Sequence, residues 1–129
     1  MKPKTCFAVF SLGLLAACAQ ITPHEAVQNT NIRKAVQNAR TRSDHDALTK
    51  HFEGAARQMR VKAEEQKKLL EHYEEKSYLY GRQAQDLRSH TWALVRKYEE
   101  TAEAHIKEAA AHRQMALEAA QRNYAARDE

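Results

Sequence analysis

The sequence predicts an all-α protein: a long antiparallel helical hairpin, coiled-coil-like, preceded by a short helix. Three observations carry that prediction. From His24 to Glu129 the chain has no proline and only two glycines, Gly54 and Gly81, while Ala, Glu, Lys, Arg and Gln dominate, a composition that favours helix almost throughout. Apolar residues recur every three or four positions along two long stripes, the period of one helix face. Between the stripes stands Gly81, a residue suited to ending a helix.

Taken in order, Thr22-Pro23-His24-Glu25 is a helix start, with Thr22 as N-cap, Pro23 at the first helical position and Glu25 reaching back in a capping box. A short helix is expected from Pro23 to about Arg40. Its pattern is weak. Ala-Val-Gln-Asn occurs at 26–29 and again at 35–38, an offset that sets Val27 and Val36 on opposite sides of a helix, and Asn29-Thr30-Asn31 is a poor helix former, so part of this segment reads as linker.

Ser43 is the expected cap of the next helix, with Asp44 and Asp46 in its first turn, where the helix dipole favours acids. Its stripe runs through Leu48, Phe52, Ala55, Met59, Ala63, Gln66, Leu70, Tyr73, Ser77 and Tyr80. The stripe of the following helix comprises Ala84, Leu87, Thr91, Leu94, Tyr98, Ala102, His105, Ala109, His112, Ala116 and Ala119. At about 1.5 Å per residue these are rods of roughly 55 and 65 Å.

The stripe passes Gly81 in phase, so one continuous helix in an intermolecular coiled coil is the alternative, and Gly81 alone costs such a helix only about 1 kcal/mol. Residue size favours the hairpin. Folding near Gly81 sets Leu69, Leu70 and Tyr73 opposite Trp92, Leu94, Val95 and Tyr98, while alanine-rich 47–63 meets alanine-rich 102–120. Large side chains then meet large and small meet small, which keeps the helix spacing even.

Ahead of the helices, Lys2 and Lys4 precede a twelve-residue apolar run from Cys6 to Ala17, which ends in Leu15-Ala16-Ala17-Cys18. The run spans about 18 Å, short of the ~30 Å hydrocarbon core, as in a cleaved signal. The four residues resemble the lipobox of bacterial lipoproteins. That resemblance implies a signal peptide at 1–17, cleavage before Cys18, and a lipid on Cys18 that tethers the protein to a membrane. Ala19 in place of Asp implies, for a host with two membranes, the periplasmic face of the outer membrane. Residues 18–42 then form a lipid-anchored basic segment with the short helix, and 43–129 the hairpin. Cys6 leaves with the leader, so the mature chain has no thiol for a disulfide or a metal. The terminus Arg127-Asp128-Glu129 lacks the lysine by which the major murein lipoprotein attaches to peptidoglycan.

Without the leader, 19 basic side chains face 17 acidic ones. Between Ala19 and Arg42 the balance is local: Arg33, Lys34, Arg40 and Arg42 against Glu25. Beside an anionic surface each such charge is worth about 1 kcal/mol. Aromatics do not interleave these charges, and the expected compartment excludes nucleic acid as partner.

All seven histidines follow Cys18. In the hairpin register His112 falls opposite His51, with Glu108 before it and Met115 one turn beyond. His51, Glu108, His112 and Met115 are therefore the candidate metal ligands, an imidazole set with a thioether that suits copper, or zinc through the imidazoles. Against this, no two histidines lie three or four residues apart and there is no His-Glu-x-x-His. Serines and threonines lack the setting of a nucleophile elbow, no glycine-rich loop cradles phosphate, and the paired glutamates suit solvated helix faces. The function expected is a non-catalytic binding or structural element of the bacterial envelope, without a cofactor, whose partner is an envelope protein or a second copy. The alternative is a periplasmic copper- or zinc-binding protein.

Overall fold

Helix propensity wins even where the sequence is weakest. The computed structural model describes residues 23–127, and α1 runs unbroken over Pro23–Asn38, through Asn29-Thr30-Asn31. The lipobox and Cys18 lie outside the described residues. α2 covers Arg42–Glu75 and α3 Ala84–Ala125; two 3₁₀ turns, Ser77–Leu79 and Gly81–Gln83, join them. Among the described residues there is no strand.

α2 and α3 form the predicted antiparallel hairpin, and the single continuous helix is excluded. The cross-helix pairs show the direction: His45 meets His112, Arg60 reaches Glu103 and Lys67 reaches Glu99, so numbers rise on one helix as they fall on the other. A further pair joins Arg113 to Glu53. These ion pairs are exposed and so contribute little energy, but they agree on one register.

The cap of α2 is Thr41, two residues before the expected Ser43. Thr41 Oγ1 accepts the Asp44 N–H at 3.2 Å, and Asp44 Oδ2 accepts the N–H groups of Thr41 at 2.9 Å and Arg40 at 3.1 Å. These bonds close a capping box, and the N–H groups of Thr41 and then Arg40 hold the Asp44 carboxyl down at about 2. Ser43 has an acid at the same three-residue spacing, Asp46, but Asp46 pairs with the Arg42 side chain and Ser43 already lies within the helix.

At the other end α2 stops at Glu75, and the Lys76 N–H bonds the His72 carbonyl. Gly81 does take the left-handed conformation, φ +52°. It opens the second 3₁₀ turn instead of capping α2, so the reversal is spread over Lys76 to Gln83.

The seam between the long helices is lined by small residues. Ala56 and Ala63 on α2 and Ala102, Ala109, Ala116 and Ala119 on α3 are buried, with Thr91 and Val95 nearer the turn. Alanines seven residues apart keep one stripe on the facing helix with the slight left-handed supercoil of a coiled coil. Near the turn the large residues fit less deeply than size matching suggested. Leu70, Tyr73, Leu94 and Tyr98 are half-buried, whereas Leu69 and Trp92 are exposed. Thr91 and Val95 take the inward positions, and Trp92, about 100° further round the helix, lies at the edge beneath the Arg96 guanidinium, 5.1 Å from its ring centroid.

α1 closes the opposite end. Ile32 packs against the cluster of Ala39, Leu48, Phe52 and Ala109, and shallow grooves between α1 and α2 run past His51 to Gly54 and Gln58. Ile32 thus anchors α1, while Val36 faces solvent.

Candidate functional site: a buried histidine pair

Phe52, one position after His51, takes the inward place on α2, and this decides which imidazoles can meet. Successive residues of a helix diverge by about 100°. With Phe52 turned toward α3, His51 turns toward α1 and is exposed, beside Ile32. His112 is buried at 4 % exposure. Its partner across the seam is His45, one turn before Leu48 and likewise buried.

The two rings meet through Nδ1. Their Nδ1 atoms lie 3.1 Å apart, the centroids 5.3 Å apart and the planes 28° from parallel. Phe52 lies flat against His112, with centroids 5.6 Å apart and planes 3° apart, and its ring also meets His105 at 5.9 Å. Thr49 Oγ1 donates to the His45 carbonyl at 2.9 Å, with the Ala109 carbonyl 3.5 Å away on α3. Every position of this cluster is set by the 3.6-residue repeat: His45, Thr49 and Phe52 share one face of α2, and His105, Ala109 and His112 one face of α3.

Burial, together with the neighbouring His45, holds the His112 imidazole below its ordinary range, against the opposing pull of Glu108. When neutral, one ring donates Nδ1–H and the other accepts. The pair can hold one additional proton, taken by Nε2 of the donating ring, which leaves the Nδ1–H···Nδ1 bond in place. A second would set two N–H groups head to head. No buried side-chain nitrogen or oxygen among the described residues lacks a hydrogen bond, and neither Nε2 makes one, so the far edges of both rings reach solvent.

The expected metal set is not assembled. His112 alone of the four is buried in the seam; Glu108 is exposed on α3, Met115 is 42 % exposed just past His112, and His51 faces α1. Among the described residues no three His, Cys, Asp or Glu side chains converge as a metal site would need. The register was close; the faces were not. His45 was missed although the sequence carries its signal, since extending the stripe from Leu48 back by three residues lands on it. Near the turn His72 meets the Tyr80 hydroxyl through Nε2 at 2.9 Å, with Tyr73 packed edge-on against Tyr80.

Fold and site together define an all-α protein, with three α-helices among the described residues, whose long hairpin buries a histidine pair near the end that α1 packs against. Compared with known proteins, the chain matches no family model, no curated protein and no solved structure.

Proposed function

We propose that this chain is a lipid-anchored lipoprotein of the bacterial envelope, tethered through Cys18 to the periplasmic face of the outer membrane and acting without catalysis as a binding or structural element. The observation that carries the reading is Leu15-Ala16-Ala17-Cys18 at the end of a short apolar run behind Lys2 and Lys4. A lipid on Cys18 attaches a chain of this kind without a spanning segment, and no helix among the described residues is long and apolar enough to cross a membrane. The hairpin supplies reach: α2 alone, with 34 residues, is about 50 Å long. Its turn end, remote from α1, carries the exposed Tyr78, Leu79 and Trp92. Isolated apolar side chains are ordinary on a surface, but these, with the groove that Trp92 lines beside Leu70 and Ala93, are the surface to offer a partner, an envelope protein or a second copy.

The anchor is tested by replacing Cys18 with Ser in a host with two membranes. The wild-type chain is expected in the outer-membrane fraction after high-salt washing, carrying labelled fatty acid. The variant is expected without label and free of the membrane. A variant that stays membrane-bound overturns the reading.

A further inference from the structure

We infer that His45 and His112 form a binding site for one soft monovalent cation, copper(I) or silver(I), held in line between their two Nδ1 atoms. The inference does not depend on the lipid anchor. It starts from the direction of the nitrogens. The 5.3 Å centroid separation exceeds the 3.1 Å Nδ1 separation by about two ring radii, so the rings meet head to head and both Nδ1 atoms lie on one line. Imidazole is a good donor to copper, and a filled-shell monovalent ion accepts two nitrogens in line where no further donor is in reach. Zinc asks for four ligands, and no third His, Cys, Asp or Glu converges here among the described residues. With metal–nitrogen bonds of about 2 Å, the two Nδ1 atoms need to separate by less than about 1 Å, a small rotation of each ring.

The surroundings fit a single positive charge. Asp44 acts electrostatically on His45 and Glu108 on His112, one carboxylate from each helix. Arg113, next to His112 in the chain, is paired with Glu53. Phe52 walls the pair with its flat face, and Thr49 spends its hydroxyl proton on the His45 carbonyl. Protons balance without a co-reactant. The neutral pair carries one Nδ1–H and one Nε2–H; the metal takes both Nδ1 lone pairs, the displaced Nδ1 proton goes to water, and Nε2 of the same ring takes one from water at its solvent edge.

The test titrates the full chain, purified in detergent at neutral pH in nitrate buffer, with silver nitrate as a redox-inert probe and with copper(I) under anaerobic competition. One equivalent is expected to bind, moving the ring ¹⁵N resonances of His45 and His112 and of no other histidine. His45→Gln and His112→Gln should each weaken binding by at least about a hundredfold. His51→Gln and Met115→Leu should leave it unchanged. Circular dichroism establishes that the variants keep their helix; should a glutamine variant unfold, the Nδ1 shifts of the wild-type chain decide. The inference is overturned if no equivalent binds, if binding survives in either glutamine variant that remains helical, or if it follows Met115 or His51. It is equally overturned if the Nδ1 resonances respond to protons only.

Discussion

Lys67 stands between carboxylates on two helices, 2.9 Å from Glu64 on its own and 2.9 Å from Glu99 on α3. Those two hydrogen bonds raise its ammonium to about 12 from 10.5. Because the folded value is the higher one, the stabilisation is fully present below pH 10.5 and disappears as pH rises through about 12. Glu99→Gln should bring the Lys67 midpoint part of the way back, read from its side-chain ¹³C shift, with little effect on melting because the pair is exposed. Phe52 is the opposite kind of residue. It lies at 8 % exposure in the cluster with Ala39, Leu48 and Ala109 and covers both His105 and His112. Phe52→Ala should cost about 3 kcal/mol in denaturant unfolding, since the small neighbours cannot close the cavity. At this scale the sequence was legible where a stripe was followed consistently. Phe52 had already taken the inward position, which leaves His51 no route to α3, and His45 completes the same stripe two turns earlier. Burial of an individual histidine is set by this one-residue phase and not by its chemistry, which is why the metal set was misplaced.

Helix starts are local chemistry and helix seams are shape, and the two were read with different success. The start of α2 depends on Thr41 and Asp44 acting as a unit. Thr41→Ala should lower stability by about 1 kcal/mol. Asp44 contributes with the other sign of pH dependence: its folded value of about 2 lies below the ordinary 3.8, so its share is present above pH 4 or so and disappears as pH falls through about 2. The Thr41→Ala variant should therefore show a shallower acid loss of helix signal than the parent chain. Thr41 and Ser43 each have an acid three residues on, Asp44 and Asp46, so spacing alone does not choose between them, and the structure closes the box at Thr41. In the seam, Ala63 and Ala102 are each 2 % exposed. Leucine at position 102 has no space to enter, and Ala102→Leu should destabilise the hairpin by about 1–3 kcal/mol through forced separation of the helices. The inward stripe of α3 was legible nearly residue by residue, from Ala84 through Ala119, because a long helix with no proline offers the chain no competing structure.

For the molecule as a whole, scattering in solution should give a rod about 65 Å long, set by the 42 residues of α3. One continuous helix through α2, the turn and α3 would be about twice that length. The reversal itself hangs on Gly81, whose φ of +52° is one that side chains with a Cβ rarely adopt. Open space surrounds the position, so Gly81→Ala should cost about 1–2 kcal/mol by backbone strain alone. The architecture followed from period, size matching and a single glycine; what binds the turn end did not, because exposed Tyr78, Leu79 and Trp92 satisfy no internal constraint that would fix their meaning.

The alanine seam has a consequence for ancestry. A core assembled from Ala56, Ala63, Ala102, Ala109, Ala116 and Ala119 asks of each position only that it be small, and alanine is abundant in any helical chain. Such a core stores little information, so descendants can replace almost every outward residue, keep the same hairpin, and share hardly any recognisable text. Kinship is better sought in a sparse pattern: small residues at seven-residue intervals on two helices, and two histidines placed to meet across them.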